Sequence, residues 1–312
     1  MHYLVTGGAG FIGSHLTESL LADGHQVTII DNLDPFYDPA VKRQNIAKIV
    51  DHPNFTWLQT DIRDLHAADH VASPVHAIIH IAAKAGVRPS IADPIGYYDT
   101  NVKGTLHLLE FAKTCNIEQF VFASSSSVYG INPEVPWKED TENLQPISPY
   151  ASTKLACEGL GHVYSKLYDI RFIALRFFTV YGPRQRPDLA IHKFAKMILA
   201  GESIPFFGDG STRRDYTYIE DILSGIRAAI HYTDSPFEIL NLGNDRTISL
   251  AEMVQTIEQA LGKKAIIDQH PEQPGDVPQT WADISKTTKL LGYQPQTTFQ
   301  EGVEKFAQWL KA

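Results

Sequence analysis

Cysteine is almost absent: two in 312 residues, Cys115 and Cys157. They are too few for a disulfide framework and too far apart for a CxxC redox or zinc pair, so both are expected to be buried, reduced thiols. Basic charge is not in excess either. Lys and Arg number 27 against 36 Asp and Glu, a formal net charge of −9, which argues against a polybasic nucleic-acid or membrane surface. No apolar run reaches membrane-spanning length, and the apolar residues 3–5 start so close to Met1 that no signal peptide is expected; the reading is cytoplasmic. With 43% hydrophobic and 20% charged residues the chain is not disordered. It carries no internal repeat and no low-complexity tract. A mildly acidic globule remains, of a length that allows two domains or one large α/β unit with an appendage.

Short β-rich runs at residues 3–6, 27–30, 55–59, 77–81, 120–124 and 172–175 alternate with helix-length amphipathic stretches. This alternation predicts an α/β fold, a doubly wound parallel sheet covered on both faces, with ligands beyond the carboxyl ends of its strands. From Thr179 onward Gly and Pro punctuate the pattern at Gly182, Pro183, Pro187, Pro205, Gly208 and Gly210. A smaller, loop-rich domain is expected there, with a helix over 218–232, a strand over 237–242 and closing helices over 250–261 and 299–310.

The turn after the first strand reads Thr6, Gly7, Gly8, Ala9, Gly10, Phe11, Ile12, Gly13. In such a GxxGxxG turn the glycines allow a tight bend, a close approach to a pyrophosphate and tight helix-on-strand packing, and the helix amino terminus faces the phosphates. Asp31, with Asn32 beside it, follows the second strand. A carboxylate there accepts hydrogen bonds from ribose hydroxyls and repels a 2′-phosphate, which favours NAD over NADP. The blander reading of Asp31 is a cap on the next turn. Asp61 and Ile62 after strand three, and Ala82, Ala83 and Lys84 after strand four, fall where the adenine and the middle of the cofactor would lie.

One YxxxK occurs, Tyr150 to Lys154. On a helix this spacing puts phenol and ammonium on one face, and the ammonium favours phenolate, making Tyr150 a base. Strand five runs into Ser124, Ser125, Ser126 and Ser127, hydroxyls able to bridge a substrate oxygen and Tyr150 and relay a proton, or else to satisfy loop backbone.

Together, the glycine run, Ser125, Tyr150 and Lys154 resemble the extended short-chain dehydrogenases/reductases, the NAD-dependent epimerase/dehydratase family. The resemblance covers nearly the whole chain. It implies a Rossmann-like NAD domain over 1–178, with a returning strand near 237–243, and a smaller C-terminal nucleotide-sugar-binding domain over 179–312. Long stretches at 176–188, 214–219 and 280–286 resemble the UDP-glucuronate 4-epimerase branch. On that resemblance Ser125, Tyr150 and Lys154 are catalytic; Gly7, Gly10, Phe11, Ile12, Gly13 and Asp31 hold NAD; Arg214 and Asp276 contact the diphosphate and uridine ribose; and Pro205 to Phe207 form the uracil loop. Two departures stand out: Thr179 replaces an Asn usual in galactose epimerases, which shifts weight toward an acidic sugar, and Gln273 replaces an Arg common in relatives.

The resemblance implies that UDP-glucuronate and UDP-galacturonate interconvert through a 4-keto sugar, with Tyr150 taking the 4-hydroxyl proton. A keto group β to a carboxylate invites loss of carbon dioxide. Arg186, Thr179, Ser126 and Ser127 are expected to hold the carboxylate out of alignment, with Arg88 a second candidate; the bland reading of either arginine is a surface ion pair. Alternatives are UDP-glucose/UDP-galactose or UDP-N-acetylhexosamine 4-epimerase, UDP-glucuronate decarboxylase, a 4,6-dehydratase, which would want an acid at 126 or 127, and a non-catalytic NAD sensor. His66 with His70 and His76 with His80 are spaced by four, but no metal is expected. Apolar helices near 102–112 and 151–167 fit a homodimer, and the proline-rich loop 131–149, with Trp137, fits a mobile lid.

Overall fold

A computed structural model describes residues 1–64, 66, 70–72, 74–271 and 277–312. In chain order the strands are β1 (His2–Thr6), β2 (Gln26–Ile30), β3 (Phe55–Leu58), β4 (Ala77–His80), β5 (Gln119–Ser125), β6 (Arg171–Phe177), β7 (Thr179–Tyr181), β8 (Ser203–Phe207), β9 (Arg213–Arg214), β10 (Tyr216–Tyr218), β11 (Phe237–Leu242), β12 (Ile248–Ser249) and β13 (Ile266–His270). The α-helices are α1 (Phe11–Ala22), α2 (Pro39–Ile46), α3 (Val87–Ala92), α4 (Pro94–Tyr98), α5 (Gly104–Thr114), α6 (Pro149–Leu167), α7 (Ala190–Ala200), α8 (Ile219–His231), α9 (Leu250–Leu261), α10 (Ser285–Leu291) and α11 (Phe299–Lys311).

The chain divides into two compact units. Unit 1 comprises Met1–Gly130, Glu142–Arg176 and Leu223–Leu240; unit 2 comprises Ile131–Thr141, Phe177–Ile222 and Asn241–Ala312. Unit 1 is built on a seven-stranded sheet in the order β11-β6-β5-β4-β1-β2-β3. Parallel ladders join β1 to β2 and β4, β2 to β3, and β4 to β5. The order reverses between β1 and β4, the switch point at which such sheets take their ligands. Every residue of β1, β4 and β5 is buried, as a sheet covered on both faces requires. No helix among the described residues is long and apolar enough to cross a membrane.

Aromatic rings organise one core layer. Phe172 is fully buried and stacks on Phe120 at 5.3 Å, Phe122 at 5.6 Å and Phe237 at 6.2 Å between ring centroids. Leu108, Leu109, Ile117 and Cys157 close around it. Cys157 is buried as expected, but Cys115 is exposed, because it follows the last residue of α5, where the helix end meets solvent. The helix expected near 102–112 begins earlier, as one π-helical turn over Asp99–Lys103 that feeds α5.

Unit 2 holds three two-stranded pairs: β7 with β10, β8 with β13, and β9 with β12. Helices α9 and α11 open with capping boxes, Ser249 with Glu252 and Thr298 with Glu301, which satisfy the first amides of each helix. Of the loop expected as a mobile lid, Ile131–Thr141 belongs to this unit and is held at Trp137. Trp137 is 2% exposed; its backbone N–H donates to the Trp281 carbonyl at 2.8 Å and its indole N–H to the Asn132 carbonyl at 3.0 Å. A ring with that much buried surface anchors its loop.

Phe172→Ala is expected to destabilise the protein by about 3–5 kcal/mol, lowering the urea midpoint of unit 1; an unchanged midpoint would show that the ring stack is not the support assigned to it.

Candidate active site

The turn between β1 and α1 closes on itself. The Gly10 N–H donates to the Gly7 carbonyl at 3.0 Å, and the first helical bond runs from Ser14 N–H to the Gly10 carbonyl at 3.0 Å. The amides of Phe11, Ile12 and Gly13 therefore precede the hydrogen-bonded ladder and form an anion-binding helix start. Gly7 has φ +70, and a Cβ on it would lie 2.8 Å from the Ala82 nitrogen; a Cβ on Gly13 would lie 2.1 Å from the Gly7 oxygen. Only glycine permits this cradle.

Asp31, 7% exposed, caps the next turn and also braces the glycine loop, a contact not expected from the sequence. One carboxylate oxygen accepts the Ala9 N–H at 3.0 Å and so braces the glycine loop, while the other accepts the Leu33 N–H at 2.9 Å and caps the next turn. The neighbouring Asn32 amide donates to Asp61 at 2.7 Å. Partial burial opposes ionisation of Asp61, but the Arg63 guanidinium, its backbone N–H and Asn32 outweigh that and hold the carboxyl below the usual range. Ile62 is core, packed against Gly104. Ala82 donates its N–H to the Thr6 hydroxyl at 3.2 Å, Ala83 is half-buried, and the Lys84 ammonium pairs with Asp93 at 2.6 Å.

The dyad is carried by α6. Ser148 caps this helix and Pro149 opens it, so Tyr150 and Lys154 lie within its first two turns. Lys154 is 3% exposed. Its ammonium donates to the Ala123 carbonyl of β5 at 2.6 Å and lies 4.8 Å from the Phe122 ring centroid and 6.0 Å from that of Tyr150. Burial pushes the Lys154 amine down to about 8, with Cys157 and Glu158 opposing the shift. Tyr150 is half-buried, edge-on to Tyr97 at 6.3 Å. At the end of β5 the Ser125 hydroxyl donates to the Ser127 hydroxyl at 3.1 Å and accepts the Ser127 N–H at 3.2 Å; Ser126 opens the 3₁₀ turn Ser126–Tyr129.

A polar chain that sequence reasoning missed links the glycine loop to this helix. Thr6, the last residue of β1, hydrogen-bonds His80 Nδ1 at 2.6 Å; His80 Nε2 meets the Thr105 hydroxyl at 2.9 Å; and Thr105 donates to the Asn101 carbonyl at 2.6 Å. The Asn101 amide grips the backbone N–H and carbonyl of Lys84 and the Thr153 hydroxyl, which donates to the Tyr150 carbonyl at 2.7 Å. Since Thr105 spends its proton on Asn101, His80 carries hydrogen on Nε2. Burial, with the Lys154 charge adding, pushes His80 down to about 3 and keeps it neutral. The usable signal was a polar residue, His80, closing an otherwise apolar strand. His76 is spent elsewhere, its Nδ1 accepting the His2 N–H at 2.9 Å, and His66 and His70 are exposed.

Of the remaining candidates, Arg88 is exposed on α3. In unit 2, Thr179 opens β7 and donates its N–H to the Asp215 carbonyl at 3.0 Å. Arg186 forms a two-pronged pair with Asp188 at 3.0 and 2.6 Å. Pro205 and Phe207 lie on β8, paired with Asp268 and His270 of β13. Arg214, on β9, donates to the Arg213 carbonyl at 2.8 Å. Beside it Asp215 is fully buried; desolvation pushes its carboxyl up to about 7 against hydrogen bonds from Asn244, Ala282 and Thr217. Asp276 and Gln273 lie outside the described residues.

A parallel sheet with a glycine cradle at its switch point, a buried carboxylate after β2 and a Tyr/Lys pair beside β5 defines a dinucleotide-dependent enzyme of the Rossmann class. A family model described as GDP-mannose 4,6 dehydratase matches residues 4–306, and the chain belongs to the NAD-dependent epimerase/dehydratase family. Its relatives are more specific. A UDP-glucuronate 4-epimerase from Thermodesulfobacterium geofontis is 41% identical over 314 residues, covering 99% of this chain and 96% of the relative. The solved UDP-glucuronic acid 4-epimerase from Bacillus cereus, in complex with UDP-glucuronic acid and NAD, is 37% identical with a TM-score of 0.92, covering 100% of this chain and 99% of that one. A UDP-glucose 4-epimerase from Thermotoga maritima, solved with UDP-glucose, is 30% identical with a TM-score of 0.91 over 100% of this chain and 99% of that one.

The residues fit NAD: the cradle admits a close pyrophosphate, and the Asp31 carboxylate stands at the end of β2. Gly13→Ala is expected to weaken NAD binding at least tenfold, about 1.4 kcal/mol, measured as NAD content and by calorimetric titration. Retained affinity would show that the cradle is not the cofactor's seat.

Proposed function

We propose that the protein is an NAD-dependent 4-epimerase that interconverts UDP-glucuronate and UDP-galacturonate through a transient 4-keto sugar. The observation that carries this reading is the buried Lys154 ammonium beside the Tyr150 ring, at the end of β5, two strands from the β1 that leads into the glycine cradle. The relatives named UDP-glucuronate 4-epimerase support the sugar's identity. When bound, NAD supplies a reversible two-electron acceptor for the 4-hydroxyl carbon.

The chain's own residues move and hold the proton. Lys154, fixed by the Ala123 carbonyl, places positive charge beside Tyr150 and favours its phenolate, which takes the proton of the 4-hydroxyl and returns it after the ketone presents its other face. Ser125 is assigned the bridging hydroxyl. Gly7, Gly10, Phe11, Ile12 and Gly13 are assigned to the pyrophosphate, Asp31 and Asn32 to the ribose, Asp61 and Ile62 to the adenine, and Ala82, Ala83 and Lys84 to the middle of the cofactor. Pro205 and Phe207 are assigned to the uracil, and Arg214 and Asp276 to the diphosphate and its ribose.

For the sugar carboxylate we assign Arg186, with hydroxyls from Thr179, Ser126 and Ser127 and with Arg88 as second candidate. Asp188 already occupies the Arg186 fork, so an incoming carboxylate competes for a preoriented guanidinium. Held away from the plane that overlaps the ketone π system, the carboxylate keeps its carbon dioxide. The likeness to UDP-glucose 4-epimerase supports a second reading, a neutral hexose substrate. We further assign a homodimer formed through the outer face of α6, where Val163 and Leu167 are 47% and 65% exposed, and a cytoplasmic setting, in keeping with two free thiols.

Proton NMR of UDP-glucuronate incubated without added cofactor should show UDP-galacturonate forming; UDP-xylose or no product overturns the reading. In the same assay Arg186→Ala should lower turnover about 100-fold and raise the decarboxylated share, whereas an unchanged rate and product ratio would remove Arg186 from the carboxylate site.

The amine of Lys154 ordinarily titrates near 10.5 and burial brings it to about 8, so the ammonium is present below that value and lost above it. Turnover should therefore fall on the alkaline side around pH 8, and Lys154→Arg should move that limb upward; an alkaline limb indifferent to this substitution would exclude the role.

A further inference from the structure

The inward stripe of α6 is unusual for a helix facing an aromatic core. Its buried positions include Lys154, Cys157, Glu158, Gly161 and Tyr164, at the spacing of one helical face. Two of them, Lys154 and Glu158, are charged groups one turn apart, each 3% exposed. Lys154 has a role above; Glu158 does not.

Glu158 is fully engaged. One carboxylate oxygen accepts the Ser124 hydroxyl at 2.5 Å and the Arg176 Nε–H at 3.0 Å, and the other accepts a terminal Arg176 N–H at 2.8 Å. Arg176, on β6, is 1% exposed, and its guanidinium lies over the buried Tyr129 ring at 4.7 Å. Ser124 immediately follows Ala123, whose carbonyl holds the Lys154 ammonium. The same two turns of α6 and the same end of β5 thus hold one cation and one anion, both out of water. A charge buried this way is retained only with an opposite charge and directed hydrogen bonds. Arg176 could neutralise Glu158 anywhere in the core; its placement one turn below Lys154 is what calls for a reason.

We infer that Glu158, clamped by Arg176 and Ser124, is a positioning residue for the dyad: its negative charge, one helical turn from Lys154 on the same buried face, attracts the Lys154 ammonium and holds it at the Ala123 carbonyl. The inference rests on the Tyr150/Lys154 assignment above.

Of the other groups near Lys154, Cys157 also opposes the desolvation of its amine, and no other carboxylate does. On β4, His80 is neutral and remains so through the working range. On α6 itself, burial pushes the Cys157 thiol up, and its S–H donates to the Asn101 carbonyl at 3.3 Å. On α4, the Tyr97 hydroxyl donates to the Ala85 carbonyl and Tyr98 bonds Ser152. Asp99 of the π turn faces Arg63 and Lys103, and Glu110 of α5 accepts from Tyr164 and Lys113. Glu158 is left as the anion that acts on Lys154 from its own helix face, and its attraction is the one carboxylate contribution opposing desolvation of that amine.

The test reads Lys154 directly. In full-length protein carrying isotope-labelled lysine Cε, the resonance lost in Lys154→Arg is titrated in the wild type, in Glu158→Gln, and in the double variant E158Q/R176M, which leaves no unpaired charge in the core. The Lys154 midpoint should fall by about one pH unit in Glu158→Gln, lie between that and wild type in E158Q/R176M, and be followed by the alkaline limb of turnover. If Glu158→Gln does not fold, the double variant decides by the same downward shift. A midpoint unmoved in the folded variants, with activity reduced by one factor at every pH, overturns the inference and leaves Glu158 a structural brace. Failure of the wild type to act on UDP-glucuronate would sink the functional reading, while the titration would still decide this one.

Discussion

A single buried cation sets the terms for unit 1. An ammonium at 3% exposure must be compensated locally, because a charge moved from water into a protein interior loses several kcal/mol of solvation. Lys154 finds a carbonyl at 2.6 Å, an aromatic face at 4.8 Å and a carboxylate one turn along its own helix. Each compensation fixes something else. The carbonyl ties α6 to the end of β5, and the carboxylate draws Arg176 of β6 and Ser124 of β5 into one cluster. Burial lowers the proton affinity of a lysine so held, and these compensations keep its ammonium beside Tyr150 below about pH 8.

The second organising feature is the run of hydrogen bonds from Thr6 through His80, Thr105, Asn101 and Thr153 to Tyr150. Thr6 precedes the glycine cradle by one residue and Tyr150 is the proposed base, so the cofactor loop and the catalytic helix share one rigid polar spine. A protonated His80 would have to give up its acceptor role toward Thr6, and burial beside the Lys154 charge prevents that. Networks of this kind specify one arrangement because every member is satisfied only there.

Unit 2 meets a similar demand with a carboxylate. Asp215 is fully buried between Arg214 and Tyr216, and its oxygens accept from the Asn244 and Ala282 amides and the Thr217 hydroxyl. Two loop segments, at Asn244 and Ala282, and the adjoining strand β10 meet at that one side chain, which lends order to a region with short strands and few long ladders. Glu139 plays a comparable part: burial pushes its carboxyl up, and one of its oxygens accepts the Asn241 N–H at 2.7 Å.

Much of this was legible in residue order. The sheet could be read because parallel strands buried on both faces are continuous apolar runs, the cradle because only glycine tolerates φ +70 at Gly7 and a neighbour 2.1 Å from a Cβ at Gly13, and the dyad because four residues bring Tyr150 and Lys154 to one helix face. The resemblance to known 4-epimerases added the sugar. The exposure of Cys115, the anchoring of Trp137, the tautomer of His80 and the burial of Glu158 with Arg176 were not legible. Apart from Cys115, each depends on partners distant in the chain, 18 residues for Glu158 and Arg176 and 104 for Trp137 and Asn241. By itself the sequence determined which local conformations and which side-chain chemistries were available; the tertiary structure decided which charges lie out of water and opposite one another, because desolvation is a property of the surroundings and no single position encodes it.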